Sequence, residues 1–347
     1  MSSGAAATGE RIVRPEFTGS AGEYFRIWIV NLFFTLVTLG IYSAWAKVRK
    51  KRYFYGSTRL DGDSFDYFAS PKTILKGRIV AVIVFVAYAF AVELYPGSAY
   101  AFWGAFLLIL PWLVMRALTF NARNSAYRGL RFDFAATPGE AVRVYVGMPI
   151  VVGLTLGLAF PWFMARQKAF VLAHHGLGTT RFGCDVSARE FFGIYILGFI
   201  ILLALVVPAA VLMGFAVANQ ALPETLSWIG FVVPALLMYA AYAVVYAFIQ
   251  ARTTNVLWNG AHCPGIHFTS TLAAGKLARL YIGNVVAIAA TAGLLIPWAV
   301  IRTLRYRLEN LAMHVRDESP HEANPLLERV GATGQELGDI FNLDLGL

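Results

Sequence analysis

Gly22-Glu-Tyr-Phe-Arg-Ile-Trp28 opens a segment that continues through Thr38-Leu-Gly-Ile-Tyr-Ser-Ala-Trp-Ala-Lys-Val-Arg49 to Arg52-Tyr-Phe-Tyr55. Its skeleton occurs three times in the chain. Gly22, Arg26, Gly40, Trp45 and Arg49 are matched in register by Gly139, Arg143, Gly157, Trp162 and Arg166, and again by Gly275, Arg279, Gly293, Trp298 and Arg302. An aromatic residue follows each first arginine by two positions (Trp28, Tyr145, Tyr281), and another follows each tryptophan by eight (Tyr53, Phe170, Tyr306). The second and third copies place Pro161 and Pro297 directly before the tryptophan. Five residue types recurring without a gap in three places mark an internal repeat.

The spacing has a physical reading. Arg26 and Arg49 are 23 residues apart, which is about 34 Å of continuous helix. A bilayer's hydrocarbon core is about 30 Å thick. Each copy is therefore expected to set an arginine near each membrane interface, with tryptophan and tyrosine at headgroup level. The central glycine permits a bend or close helix approach, and the prolines favour a bend. Anchoring and packing are the ordinary roles of such residues. A functional role would have three bent helices around a shared cavity, with arginines at its mouth.

Composition agrees with a membrane setting. Of 347 residues, 58% are hydrophobic and 14% charged, against roughly 45–50% and 25% in soluble domains. The net charge of +9 lies between apolar runs, which points to basic membrane-proximal loops and not to nucleic acid. The small, polar start of the chain lacks the apolar core of a signal peptide. Two cysteines, Cys184 and Cys263, make no disulfide framework.

The expected fold is all-α and polytopic, with about seven hydrophobic helices. The candidate segments are 27–46, 79–92, 101–115, 144–165, 191–218, 228–249 and 280–301. A disordered tail (1–16) precedes one membrane domain (17–316), and a polar, acidic tail (317–347) with a weak apolar stripe at Leu337, Ile340 and Phe341 follows it. Within the domain, repeat copies 22–55, 139–172 and 275–308 alternate with helical hairpins 74–120 and 190–250. Pro96 and Gly97 turn the first hairpin, and residues 219–224 turn the second. Phe65-Asp66-Tyr67 and Phe132-Asp133-Phe134 echo each other in the loops between units.

Two topologies compete. Seven spans divide the lysines and arginines 19 to 10, with the C-terminus on the richer, cytoplasmic side. Four spans plus three re-entrant or interfacial copies place all 29 on one side, because neither hairpin turn carries any. Charge favours the second arrangement. Length favours the first, since about 20 apolar residues suit a full crossing, and seven spans is the expectation taken here.

Signs of chemistry are sparse. His174, His175, Cys184 and Asp185 share one loop, and His262, Cys263 and His267 share another. These residue types bind zinc, but no paired-ligand spacing occurs. No nucleophile elbow, phosphate-binding loop or dinucleotide fingerprint is present. The expectation is therefore no enzyme, cofactor or metal. Gly153 and Gly157 form a small-residue pair suited to helix packing. Asn31 and Asn284 occupy equivalent positions inside apolar runs; they are candidates for a polar path or for interhelical hydrogen bonds. The run Lys47-Val-Arg-Lys-Lys-Arg52 is placed to attract anionic lipid headgroups.

Residues 17–78 resemble the YjgN-like family, bacterial inner-membrane proteins that carry a domain of unknown function, and the likeness extends to about residue 313. The resemblance implies a multi-pass inner-membrane location. It supplies no activity and no catalytic residues. The sequence leaves three functional expectations, in this order: transporter- or channel-like handling of a small solute or lipid, a membrane scaffold or envelope-organising role, and a membrane enzyme.

Overall fold

A computed structural model describes residues 10–177, 180–218 and 229–316. The acidic tail at 317–347 and the turn at 219–224 lie outside the described residues. Helices α1 (Ala21–Val37) and α2 (Ser43–Ser57) form the first copy. The second copy is α5 (Pro138–Val142), a π-helical turn (Arg143–Gly147), α6 (Met148–Leu154) and α7 (Phe160–Ala173). The third is α10 (Ala274–Ala290) and α11 (Ile296–Glu309). The hairpins between copies are α3 (Pro71–Leu94) with α4 (Ser98–Arg123), and α8 (Ala188–Ala218) with α9 (Ile229–Asn259).

Four helices among the described residues are long and apolar enough to cross a membrane, and all four belong to the two hairpins. This corrects the seven-span expectation. Each copy is broken at its glycine, where two consecutive residues take left-handed backbone. They are Leu39 and Gly40, Leu156 and Gly157, and Ala292 and Gly293, with glycine φ of 92°, 89° and 93°. Such a conformation costs a residue with a Cβ but not glycine. A threonine precedes each turn. The Thr38, Thr155 and Thr291 hydroxyls donate back into the first helix, to Phe34, Val151 and Ala287. Each also accepts the N–H of the residue four positions on. Helix-end groups are thus satisfied by side chains at each turn. Gly157 therefore serves a turn, and nothing lies within 4 Å of a Cβ built on Gly153, so the expected small-residue packing pair does not form.

The all-α expectation also needs correction, because twelve short strands among the described residues join the units. They are β1 (Glu10–Val13), β2 (Glu16–Phe17), β3 (Thr58–Leu60), β4 (Asp63–Tyr67), β5 (Ser125–Tyr127), β6 (Leu130–Phe134), β7 (His175–Leu177), β8 (Thr180–Arg181), β9 (Gly183–Cys184), β10 (Ala261–Cys263), β11 (Ile266–Ser270) and β12 (Leu311–Arg316). The expected disordered start thus contains β1 and, with residue 17, β2. The Phe-Asp-aromatic echoes are strands β4 and β6. Phe65, Tyr67, Phe132 and Phe134 are buried, whereas the intervening Asp66 and Asp133 are not, the alternation of a half-buried strand.

The strands order as β1-β12-β11-β10-β9 and β2-β3-β4-β5-β6-β7-β8. Two residues link β1 to β2, and Phe182 alone lies between β8 and β9. Pairing and chain continuity thus form one circuit. Every helical unit leaves and rejoins it on hydrogen-bonded partners. β2–β3, β6–β7 and β11–β12 bracket the three copies, while β4–β5 and β9–β10 bracket the hairpins. Hydrogen-bonded strands lie about 4.8 Å apart, so both ends of each unit lie on the same side of any membrane. The hydrophobic core lies between this sheet layer and the helix bases, around Phe65, Tyr127, Phe132, Trp258, Ile266 and Leu304.

Candidate functional site: a basic cleft between the first and third copies

The helical units pack as a closed series: α2 on α3, α4 on α5, α7 on α8, α9 on α10, and α11 on α1. At four of these junctions a long apolar hairpin flanks a copy. At the fifth, copies three and one meet directly. A cleft of about 810 Å³ opens there. The N-cap Ser20 and first residue Ala21 of α1 contribute from one side, and copy three supplies Lys276, Arg279, Arg302 and Arg305 around Leu280, Trp298 and Ile301. Glu309 is the only acid in the lining among the described residues.

Folding of copy three assembles this group. Arg279 and Arg302, 23 residues apart, were expected at opposite interfaces; the turn at Gly293 returns the chain and sets both in one cleft. The Arg302 guanidinium lies 4.9 Å from the centroid of the Trp298 ring, close enough for a cation–π contact. Arg305 donates to the Gly19 carbonyl at 3.2 Å, joining α11 to the start of copy one. Arg279 Nε donates to the Gly275 carbonyl at 3.4 Å.

Comparison of the copies isolates what is special here. Copies one and two start with a capping box: Ser20 with Glu23, and Thr137 with Glu140. Hydrogen bonds hold both carboxyl groups below the usual range, from Tyr53 first at Glu23 and from the Thr137 backbone first at Glu140. Copy three has Ala273 at the cap, with no side-chain hydrogen bond, and Lys276 at the glutamate position. A lysine in the first helical turn opposes the macrodipole that an acid would complement. Arg305 corresponds to Arg52 in copy one and Ala169 in copy two. The full cationic quartet therefore occurs only in copy three.

The other expected site residues are dispersed. Arg26, Arg49, Arg143 and Arg166 are exposed. Trp45 stacks on Tyr42 with centroids 6.2 Å apart, and Trp162 packs against the core. Asn31 and Asn284 each serve their own hairpin. Their amides donate to the Ala46 and Ala299 carbonyls at 3.5 and 3.4 Å, and Asn284 also donates to Thr303 at 2.9 Å. Both asparagines are buried, and neither lines the cleft. Part of the basic run faces inward: Lys51 is buried, donates to Asn121 at 3.3 Å and lies 5.4 Å from the Tyr67 ring centroid.

The two histidine–cysteine loops meet in part. Strand β9 pairs with β10, so Cys184 stands opposite Ala261, and Asp185 lies 3.8 Å from His262. His174 and His175 instead close the base of copy two, donating to the Phe170 and Val171 carbonyls. Among the described residues no group of three or more His, Cys, Asp or Glu side chains could hold a metal ion. Burial pushes both thiols up to about 12.

Sequence reading missed the threonine at each turn and the role of the aromatic after each tryptophan. Tyr53 and Tyr306 hold the entry residues Ser20 and Ala273 through their hydroxyls. Both features recur in register, which was the available signal.

Comparison with known proteins places these observations. The chain is 24% identical to the inner membrane protein YjgN of Salmonella typhimurium, over 90% of this chain and 93% of that one. It is 29% identical to the inner membrane protein YjgN of Escherichia coli O157:H7, over 42% of this chain and 36% of that one. No solved structure matches. The family model for bacterial proteins of unknown function DUF898 matches residues 13–340, and the chain belongs to that family.

Proposed function

We propose that this protein binds and handles anionic lipid in the cytoplasmic leaflet of the bacterial inner membrane, without catalysis. Four helices cross the bilayer in this reading, and the three copies bed into the leaflet on the sheet side. Arg78, seven residues or about 10 Å along α3, donates to Ser43 beside the tip of copy one. That contact supports a tip in the proximal half of a core about 30 Å thick. No lysine or arginine lies between Arg26 and Lys47, Arg78 and Arg116, Arg143 and Arg166, Arg189 and Arg252, or Arg279 and Arg302. All five helical excursions are thus free of basic residues at their far ends, and the positive-inside rule makes the sheet side cytoplasmic. Pairing of β1 with β12 holds both ends of the described chain together, and this reading takes both as cytoplasmic.

The observation that carries the reading is the quartet of Lys276, Arg279, Arg302 and Arg305 beside Trp298, at the junction without a spanning hairpin. Cations with an apolar floor suit a phosphate headgroup whose chains stay among lipid. The test is the lipid that copurifies with the full chain. Enrichment of anionic phospholipid over the bulk membrane is expected, with loss of that enrichment in R279Q/R302Q/R305Q. Bulk composition in both proteins would refute the reading.

A scaffold role has one observation in its favour. The strands of the sheet circuit carry exposed Arg59, Asp66, Arg181 and Arg316. Normal lipid handling after reversal of these charges would discount it.

A further inference from the structure

We infer that the cleft selects an amphiphile whose headgroup carries two phosphates, over one carrying a single phosphodiester. This inference rests on the lipid-binding reading above. The charge balance supplies the first reason. Among the described lining residues, four cationic side chains, all exposed, accompany one carboxylate, Glu309, and a single phosphodiester would leave most of that positive charge uncompensated. Two phosphates bring the cleft near neutrality and offer at least two oxygen pairs to its three arginine forks.

Size is the second reason. About 810 Å³ is toward the upper end of the range of small-molecule sites, roughly 300–1,000 Å³, and exceeds what one phosphate fills. Preorganisation is the third. Arg302 is held over Trp298 and Arg305 is tied to Gly19, so two guanidinium groups are fixed at separate points of the wall. Lys276 and Arg279 face them from the start of α10.

The copies supply an internal comparison. At the positions of Lys276, Arg279, Arg302 and Arg305, copy one has Glu23, Arg26, Arg49 and Arg52, and copy two has Glu140, Arg143, Arg166 and Ala169. The change from glutamate to lysine reverses a charge at the cleft and removes the partner of a capping box. A purely structural copy gains nothing from this exchange, whereas a doubly phosphorylated headgroup gains a donor in place of a repelling carboxylate. Two lipid classes carry the chemistry: a single-chain isoprenoid diphosphate, and a lipid with two glycerol-bridged phosphodiesters.

The experiment uses the full-length protein in zwitterionic micelles. Isothermal titration would be run with phosphatidylglycerol, cardiolipin, farnesyl monophosphate and farnesyl diphosphate. At least tenfold tighter binding is expected for a two-phosphate probe than for its one-phosphate counterpart. Tight farnesyl diphosphate binding alone assigns the first class, and tight cardiolipin binding the second. K276E restores the residue type of copies one and two and so keeps the helix; it should erase the preference while leaving the melting temperature unchanged or higher. R143Q/R166Q, at the equivalent positions of copy two, should change nothing. Equal affinity for one- and two-phosphate probes, with both weakened by R302Q/R305Q, would overturn the selectivity and leave lipid binding standing. Affinities that no cleft substitution alters would overturn both.

Discussion

The Tyr53 hydroxyl accepts the Ser20 N–H at 2.8 Å and lies 2.9 Å from the Ser20 carbonyl and 3.1 Å from Glu23, both able to accept its proton. A residue near the end of copy one thereby holds the residue that starts it. Tyr306 does the same for Ala273 in copy three. Phe170 stands at the equivalent place in copy two and lacks a hydroxyl; there Thr137 and Glu140 close the cap, and His174 Nε2 lies 3.3 Å from the Glu140 carboxylate. Y53F should therefore cost about 1 kcal/mol, the net worth of a hydrogen bond. F170Y should restore no comparable stability, because its cap is already satisfied. Thermal unfolding of the two variants in the same detergent checks both.

Acid should loosen the entries of copies one and two, but not that of copy three. Glu23 and Glu140 are both lowered from 4.5. A carboxyl group depressed in the folded state contributes stability above its unfolded value, and that contribution is lost as pH falls through the folded value. The loss should start below about pH 4.5. In E23Q/E140Q the stability–pH curve should be flatter across this window. A slope identical to the parent's would show that other groups govern it.

Alanine at the turn glycines should destabilise through backbone strain. Nothing lies within 4 Å of a Cβ added at Gly40 or Gly157, yet φ there is +92° and +89°. The expected cost is about 1–2 kcal/mol for each left-handed residue with a Cβ. G153A, outside the turn and also in open space, should be neutral or slightly stabilising. Paired melting curves of G157A and G153A separate strain from crowding.

Side-specific labelling should find all the loops joined by strands on one face. Both native thiols are poor probes, because burial pushes them up to about 12 and the thiolate is the reactive form. In a C184S/C263S background, a cysteine replacing exposed Ser64 of β4 should resist an impermeant maleimide in intact spheroplasts and react after lysis. One replacing Gly97, between α3 and α4, should react before lysis. Labelling of both before lysis would overturn the single-sided sheet.

Asn31 and Asn284 should prove to be packing residues. Each has a buried Oδ1 without a hydrogen-bond partner. Leucine in their place removes one hydrogen bond at Asn31 and two at Asn284, together with an orphaned carbonyl at each, and the effects offset each other. N31L/N284L should change stability by less than about 1 kcal/mol and leave lipid affinity unchanged. A selective loss of transport or binding, with stability intact, would revive a polar path.

The sequence by itself determined the membrane class, the family resemblance, the repeat and the positions of its glycines, because these depend on composition and on residues compared along the chain. It also carried both topologies, and its charge count pointed to the one the sheet supports. Residue spacing misled where it assumed a continuous helix. Twenty apolar residues measure a span only if nothing turns them back, and the turn depends on left-handed backbone at Gly40, Gly157 and Gly293 together with a threonine bond. The sheet escaped notice because its strands are two to six residues long, too short for a period-two pattern to stand out against neighbouring helices. Their pairing links residues such as Arg11 and Val315, far apart in the chain. The cleft belongs to the same category. Arg279, Arg302 and Arg305 were visible as separate basic positions, but only the folding of copy three against the start of copy one brings them around one cavity, since charges meet in space and not in sequence.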